Sequence, residues 1–166
     1  MNEAARAQPS RRVPQGIADV LSGLAMLAWV GGQAALGAFA ARIAFQELAR
    51  PDAARTMNRV FHEFDRVIIV AIVMLAFAAL LGLWARGLGA WSQIRFGLEL
   101  GLAALGLFEV LHVHPGIEAM FTAGRTLEPA FAALHHLSER CAHAEAALVV
   151  ALLIARTLSA PTGKPA

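Results

Sequence analysis

The sequence has no tyrosine, one lysine (Lys164) and one cysteine (Cys141) in 166 residues, and only 16% of it is charged. Each shortage excludes something. A single cysteine cannot close an internal disulfide and cannot supply a cysteine-rich zinc framework. With 14 basic residues nearly balanced by 12 acids, the pI of 9.5 reflects arginine and not a basic patch, so no nucleic-acid partner is expected. Soluble domains carry roughly 25% charged residues. The shortfall here, beside 58% hydrophobic residues, points to a protein whose surroundings are a lipid bilayer. Also missing are G-x-S-x-G, a GxxxxGK phosphate loop and H-E-x-x-H, since His62-Glu63 is followed by Phe64, Asp65 and Arg66. No catalytic residues are identified and no enzyme activity is expected.

What is present is long apolar runs. Val20 to Ala41 holds 22 residues without a charge, enough for the ~20 that cross a hydrocarbon core of ~30 Å. Arg11 and Arg12 precede it in the manner of a twin-arginine signal, but the run exceeds the about 7 to 15 residues of a signal core. Val67 to Trp84 is a second uncharged run, entered through a segment in which Met57, Val60, Phe61, Phe64, Val67 and Ile68 repeat with helical spacing. Pro51 and Asp52 mark its start. From Asp52 to Trp84 a helix would measure about 50 Å, so about 20 Å should project beyond the hydrocarbon as an arm. The third run, Trp91 to Leu111, carries Arg95, Glu99 and Glu109 and is expected to end at Pro115. The fourth helix should begin near Glu128 and Pro129 and reach Arg156, with its first half a second arm.

The reading is therefore all-α: an integral membrane four-helix bundle of two antiparallel hairpins, with helices 2 and 4 extended beyond the bilayer. Residues 1–15 read as a disordered tail, 16–157 as the transmembrane domain with spans at about 20–41, 67–84, 91–111 and 137–155, and 158–166 as a C-terminal tail. The two arms, Phe61 to Arg66 and Leu134 to Arg140, are alike in sequence and suggest a duplicated hairpin. Basic residues number seven on each side of the membrane. The acids in the arms tip the expected orientation towards cytoplasmic termini in the cell (inner) membrane.

Alternating spans place all six histidines on one side, His62 on the first arm, His112 and His114 at the end of the third span, and His135, His136 and His143 on the second arm. With Cys141 they form a candidate metal-handling surface, made of His62, His135, His136, Cys141 and His143, and a metal ion is the candidate cofactor. Helical phase divides that group. Measured from Leu134, His136 falls at about 200°, His143 at about 180° and Glu139 at about 140°, on the polar ridge. Cys141 and Glu145 fall within about 20° of the apolar centre. A carboxylate there is costly unless paired. Glu109 and His112, three apart on helix 3, are its expected partners in a buried polar network of Glu109, His112 and Glu145. Arg95 and Glu99, four apart, are expected to pair along helix 3. Gly97 and Gly101 form a GxxxG suited to close helix packing, within the chain or in a homo-oligomer or a complex with another membrane protein.

The chain resembles the transmembrane-protein-205-like family of small four-helix membrane proteins. The likeness rests on W-x-G-G at Trp29 to Gly32, the aromatic-bearing stretch Ala40 to Leu48, the arm with Phe61, the proline-bearing His114 to Met120, and F-x-x-L-H-x-x-S at Phe131 to Ser138. Arg42 stands where that pattern leads one to expect a proline. The family's biochemical function is largely unknown. Its eukaryotic namesake is linked with tolerance of platinum drugs, which implies soft-metal handling through sulfur, here Cys141, Met57 or Met120. The functions in view are metal handling at the histidine-rich face, a non-catalytic scaffold whose arms dock a partner, and a haem-binding cytochrome. The last requires two histidines facing each other inside the bundle, whereas His62 and His135 turn away from the apolar stripes.

Overall fold

The computed structural model describes residues 9–158 as four long helices. We number them α1 (Arg12–Glu47, with helical turns from Pro9), α2 (Arg50–Arg86), α3 (Ala90–Thr122) and α4 (Pro129–Leu158). Each is long and apolar enough to cross a membrane. The chain is an all-α, multi-pass membrane protein. Residues 1–8 and 159–166, parts of the two expected tails, lie outside the described residues. Helix already occupies residues 9–15, where a tail was expected. At 30 residues or more, every helix exceeds the ~20 needed to span, so projection beyond the hydrocarbon is shared by all four.

The helix ends follow local chemistry. Leu48 is extended and breaks α1 from α2. α2 then opens with Pro51 in its first turn and Asp52 beside the positive helix end, and closes with Arg86 at the negative one. Gly87 at φ 76° stops it in a conformation that a side chain would strain. α3 does not end at Pro115. Its segment Glu109–Val113 widens into a turn in which the His114 N–H bonds to the Glu109 carbonyl, five residues back. That wide turn accommodates Pro115, which has no N–H to donate, and regular helix continues to Thr122. Gly124, at φ 70°, reverses the chain. Arg125 then donates to both carboxyl oxygens of Glu128 (2.6 and 2.7 Å), which holds the Glu128 carboxyl below its ordinary pKa just ahead of α4.

Consecutive helices pack antiparallel along seams with a repeat of three and four. On α2 the buried seam is Ile68, Ala71, Leu75, Ala78, Gly82 and Ala85. On α3 it is Ser92, Arg95, Glu99, Leu102, Gly106 and Glu109. A repeat averaging 3.5 is that of left-handed helix packing. Alanine is the commonest buried residue, while Leu27, Phe39, Val73, Phe77, Leu80 and Leu111 stand exposed on the outside. This suits a lipid surround, where helices gain by close approach and not by hiding apolar surface from water.

The W-x-G-G stretch shows what small residues allow. A Cβ on Gly32 would come within 2.5 Å of Phe64 on α2, and one on Gly106 within 2.1 Å of the Trp29 ring. Trp29, Leu75, Leu102 and Leu152 are wholly buried and form an apolar belt across the bundle. The belt separates two polar layers. Glu99 lies in one and Glu109 in the other, ten residues and about 15 Å apart along α3.

Candidate functional site

The polar layer nearer the α1–α2 and α3–α4 turns is built by all four helices. Glu109 on α3 and Glu145 on α4 are both at most 1% exposed. Ser138 donates from its Oγ to Glu109 Oε1 at 3.0 Å. His114 stands between Asp65 on α2, 2.6 Å from its Nδ1, and Glu109, 3.8 Å from its Nε2. The imidazole therefore links a carboxylate at the mouth of the layer to one inside it. Glu145 feels the charges of Glu109 and His114 and the side chain of Gln33 on α1. Beyond these neighbours, the Glu109 carboxyl and Gln33, no donor among the described residues reaches its oxygens or Glu109 Oε2.

His112 is not part of this layer. It is exposed and stacks on Phe108 at 5.4 Å between ring centroids. A spacing of three assumes regular helix between residues 109 and 112. The wide turn adds one residue to the circuit and brings His114 round to the Glu109 face instead.

The layer beyond the apolar belt is ionic. Asp19 on α1 accepts from Arg86 at 3.2 Å and, at shorter range, from Arg95. Glu99 accepts from Ser22 at 2.9 Å and lies 3.6 Å from Arg156 on α4. Arg95 and Glu99 thus do not close a pair along α3. Both occupy its inward seam, where acceptors and donors from the other helices are nearer than the next turn.

The histidine-bearing surface does not converge. His62 faces Glu118 at 3.4 Å, His135 stacks on Phe131, His136 bonds Glu139 at 2.9 Å, and His143 is exposed. Cys141 is buried, one turn from Glu145 on the inner stripe of α4. Among the described residues no three His, Cys, Asp or Glu side chains come together as a metal site. His62 and His135, the pair a haem would need, are both exposed. Replacing His135, His136 and His143 together by Ala is expected to shift stability by no more than about 0.5 kcal/mol. It should leave the metal content of purified protein unchanged in elemental analysis. Gly97 and Gly101 face outward, and a Cβ on either would meet nothing within 4 Å, so the GxxxG packs no helix of this bundle.

Asp19, Ser22, Gln33, Asp65, Arg86, His114, Ser138 and Arg156 join the two layers without a motif in the sequence that marks them as site residues. Most were hidden because the signal lies across helices and not along one. The seam repeat was the available clue for Ser22 and Ser138, since each falls in register with buried neighbours.

Four apolar helices enclosing two polar layers define a small multi-pass membrane protein with an ionisable interior. Residues 24–126 match a family described as a domain of unknown function, DUF4149, and the chain belongs to that family. No curated protein and no solved structure matches the chain.

Proposed function

We propose that this protein handles protons at the interior carboxyl pair Glu109–Glu145, with Asp65 and His114 as the route between the pair and the membrane face. The observation that carries the reading is Glu145, wholly buried, with only the Glu109 carboxyl and Gln33 in hydrogen-bonding reach of its own carboxyl among the described residues. Two neighbouring carboxylates in a low-dielectric interior repel each other, and a shared proton removes both the repulsion and much of the desolvation cost. Intramembrane acids and histidines in a chain are the common parts of proton relays.

Imidazole suits the linking position, because it can accept a proton at one ring nitrogen and release one from the other. The Asp65 contact is already a hydrogen bond, whereas the 3.8 Å to Glu109 lies beyond one. Transfer therefore needs a rotation of the Glu109 carboxyl or of the ring, and that rotation is a natural control point. Metal handling at the outer histidines, and the soft-metal chemistry implied by the narrower family likeness, lack a converging ligand set among the described residues.

Infrared spectroscopy of the protein in lipid tests the reading. The wild type is expected to show a protonated carboxyl C=O stretch that disappears in Glu145→Gln. In Asp65→Asn the band should remain but exchange its proton for deuterium more slowly. A spectrum unchanged in Glu145→Gln and Glu109→Gln would refute the assignment.

A further inference from the structure

We propose that a proton path runs the length of the bundle, from the carboxyl pair to Asp19 at the opposite end, and that the Trp29 indole is the gate that closes it. The inference rests on the proton-handling reading above and extends it from a site with one mouth to passage across the membrane.

One stripe of α1 serves both polar layers. Ser22 donates to Glu99 in the far layer, and Gln33 stands beside Glu145 in the near one. Trp29 lies between them, seven residues from the first and four from the second. On α3 the buried residues between Glu99 and Glu109 are Leu102, Ala103 and Gly106. Gly106 has no side chain, and the Trp29 ring fills the space that one would take. The plug between the layers is therefore a single aromatic ring, in a belt completed by Leu75, Leu102 and Leu152. An apolar constriction of that kind stops conduction by keeping water out.

Two features mark the ring as a moving part and not as filler. Its Nε1–H is wholly buried without a hydrogen-bond partner among the described residues, a cost that phenylalanine or leucine would avoid. In an opened belt that N–H can donate to a water between the layers. The ring is also carried on a wide turn, Leu27–Gly31, with Gly32 directly after it. Wide turns of this kind recur at functional sites, and returning one to regular helix shifts the register by a residue, about 100°. Such a shift carries the indole off Gly106. The following part of α1 leaves room for it, since Gly31, Ala34, Ala35, Gly37 and Ala38 are all exposed.

Passage conserves protons at every step. A proton leaves the Glu109–Glu145 pair for a chain of waters through the opened belt. It is taken at the far end by Asp19, which is one helical turn from the Ser22 hydroxyl and 38% exposed in its side chain. The pair is refilled from Asp65 through His114. Metal cations, which cannot be handed between acids, are turned back at that exit by Arg86 and Arg95, both of which face Asp19.

The full chain in phosphatidylcholine liposomes, with a pH-sensitive dye inside and a potassium diffusion potential across the membrane, tests the path. The wild type should pass protons slowly, but faster than protein-free liposomes. Trp29→Ala should raise the rate about tenfold or more without admitting sodium, and adding Glu145→Gln to it should return the rate to the wild-type level or below. Trp29→Phe keeps an aromatic plug without the N–H, and should lower the rate about fivefold, the weight of one hydrogen bond to water in the open path. That variant decides the question if Trp29→Ala does not fold. The proposal is overturned by a wild-type rate equal to that of protein-free liposomes, by a Trp29→Phe rate equal to wild type, or by a Trp29→Ala rate that is unchanged, survives Glu145→Gln or comes with sodium leakage. The infrared band assigned to Glu145 is read on the same liposomes. With the band present, such results sink the path alone, and with the band absent they sink the proton reading beneath it.

Discussion

Glu145→Leu is expected to stabilise the bundle by about 1–3 kcal/mol, the cost of keeping a buried polar group whose hydrogen bonding is incomplete, while abolishing the proton signal assigned to the carboxyl pair. The sign is the informative part. A carboxyl retained to hold helices together should be tied to donors, and its loss should weaken the fold. Glu145 has only Gln33 and the Glu109 carboxyl in reach and no arginine or lysine against it among the described residues, and it sits on the inner stripe of α4 between Cys141 and Leu148. A leucine there continues a seam that already includes Leu152. Glu99 supplies the control. It accepts from Ser22 and lies against Arg156, so Glu99→Leu breaks a buried charge pair and should cost about 3–5 kcal/mol. Unfolding of reconstituted protein in mixed micelles, followed by circular dichroism, measures both. A destabilised Glu145→Leu would make the residue a structural tie and remove the case for proton handling. Opposite signs at two equally buried glutamates would show that the two layers serve different ends, the stability forgone at one being the mark of a working site.

Why the four spans are legible in the sequence, and the interior is not, follows from the solvent. Lipid requires about 20 apolar residues in a row for each crossing, a signal written along one stretch of chain such as Val67 to Trp84. The polar layers are written across helices. Arg95 and Glu99 have the spacing of a helical pair, yet their seam position turns them to Asp19, Ser22 and Arg156 on helices 76, 77 and 57 residues removed along the chain, the last by 156 − 99. Spacing within a helix cannot rank such partners. The exchange of His112 for His114 has a different origin, because Pro115 carries the sequence signature of a helix end while the chain accommodates it with one wide turn. A proline-induced change of register shifts every later residue by about 100°, enough to swap an inward histidine for an outward one. Glu145 could be placed on an inward face by phase alone, since it lies on another helix, and Glu109, at the first residue of that turn, still keeps the register of the α3 seam.

Trp29 and Gly106 carry the second large effect. Trp29→Ala should cost about 3 kcal/mol, mostly for the cavity left where the indole stood, because lipid is as apolar as the belt and transfer out of water contributes little. Gly106→Ala approaches the same contact from α3. Alanine favours helix over glycine by about 1 kcal/mol, but its Cβ would lie 2.1 Å from Cη2 and Cζ2 of a wholly buried ring. Overpacking of that kind costs about 1–3 kcal/mol, so the substitution should be destabilising in spite of the better helix former. The pair is expected to be non-additive. With Trp29→Leu in place the ring no longer blocks the new methyl group, and Gly106→Ala should then become neutral or stabilising, a coupling of about 0.5–3 kcal/mol in a double-mutant cycle. Additive effects would mean that the ring can move aside. Non-additivity would establish the Trp29–Gly106 contact as the point where α1 and α3 are held at fixed distance. Ten residues of α3 separate Glu109 from Glu99, and the Trp29–Gly106 contact keeps the apolar belt closed between the two layers.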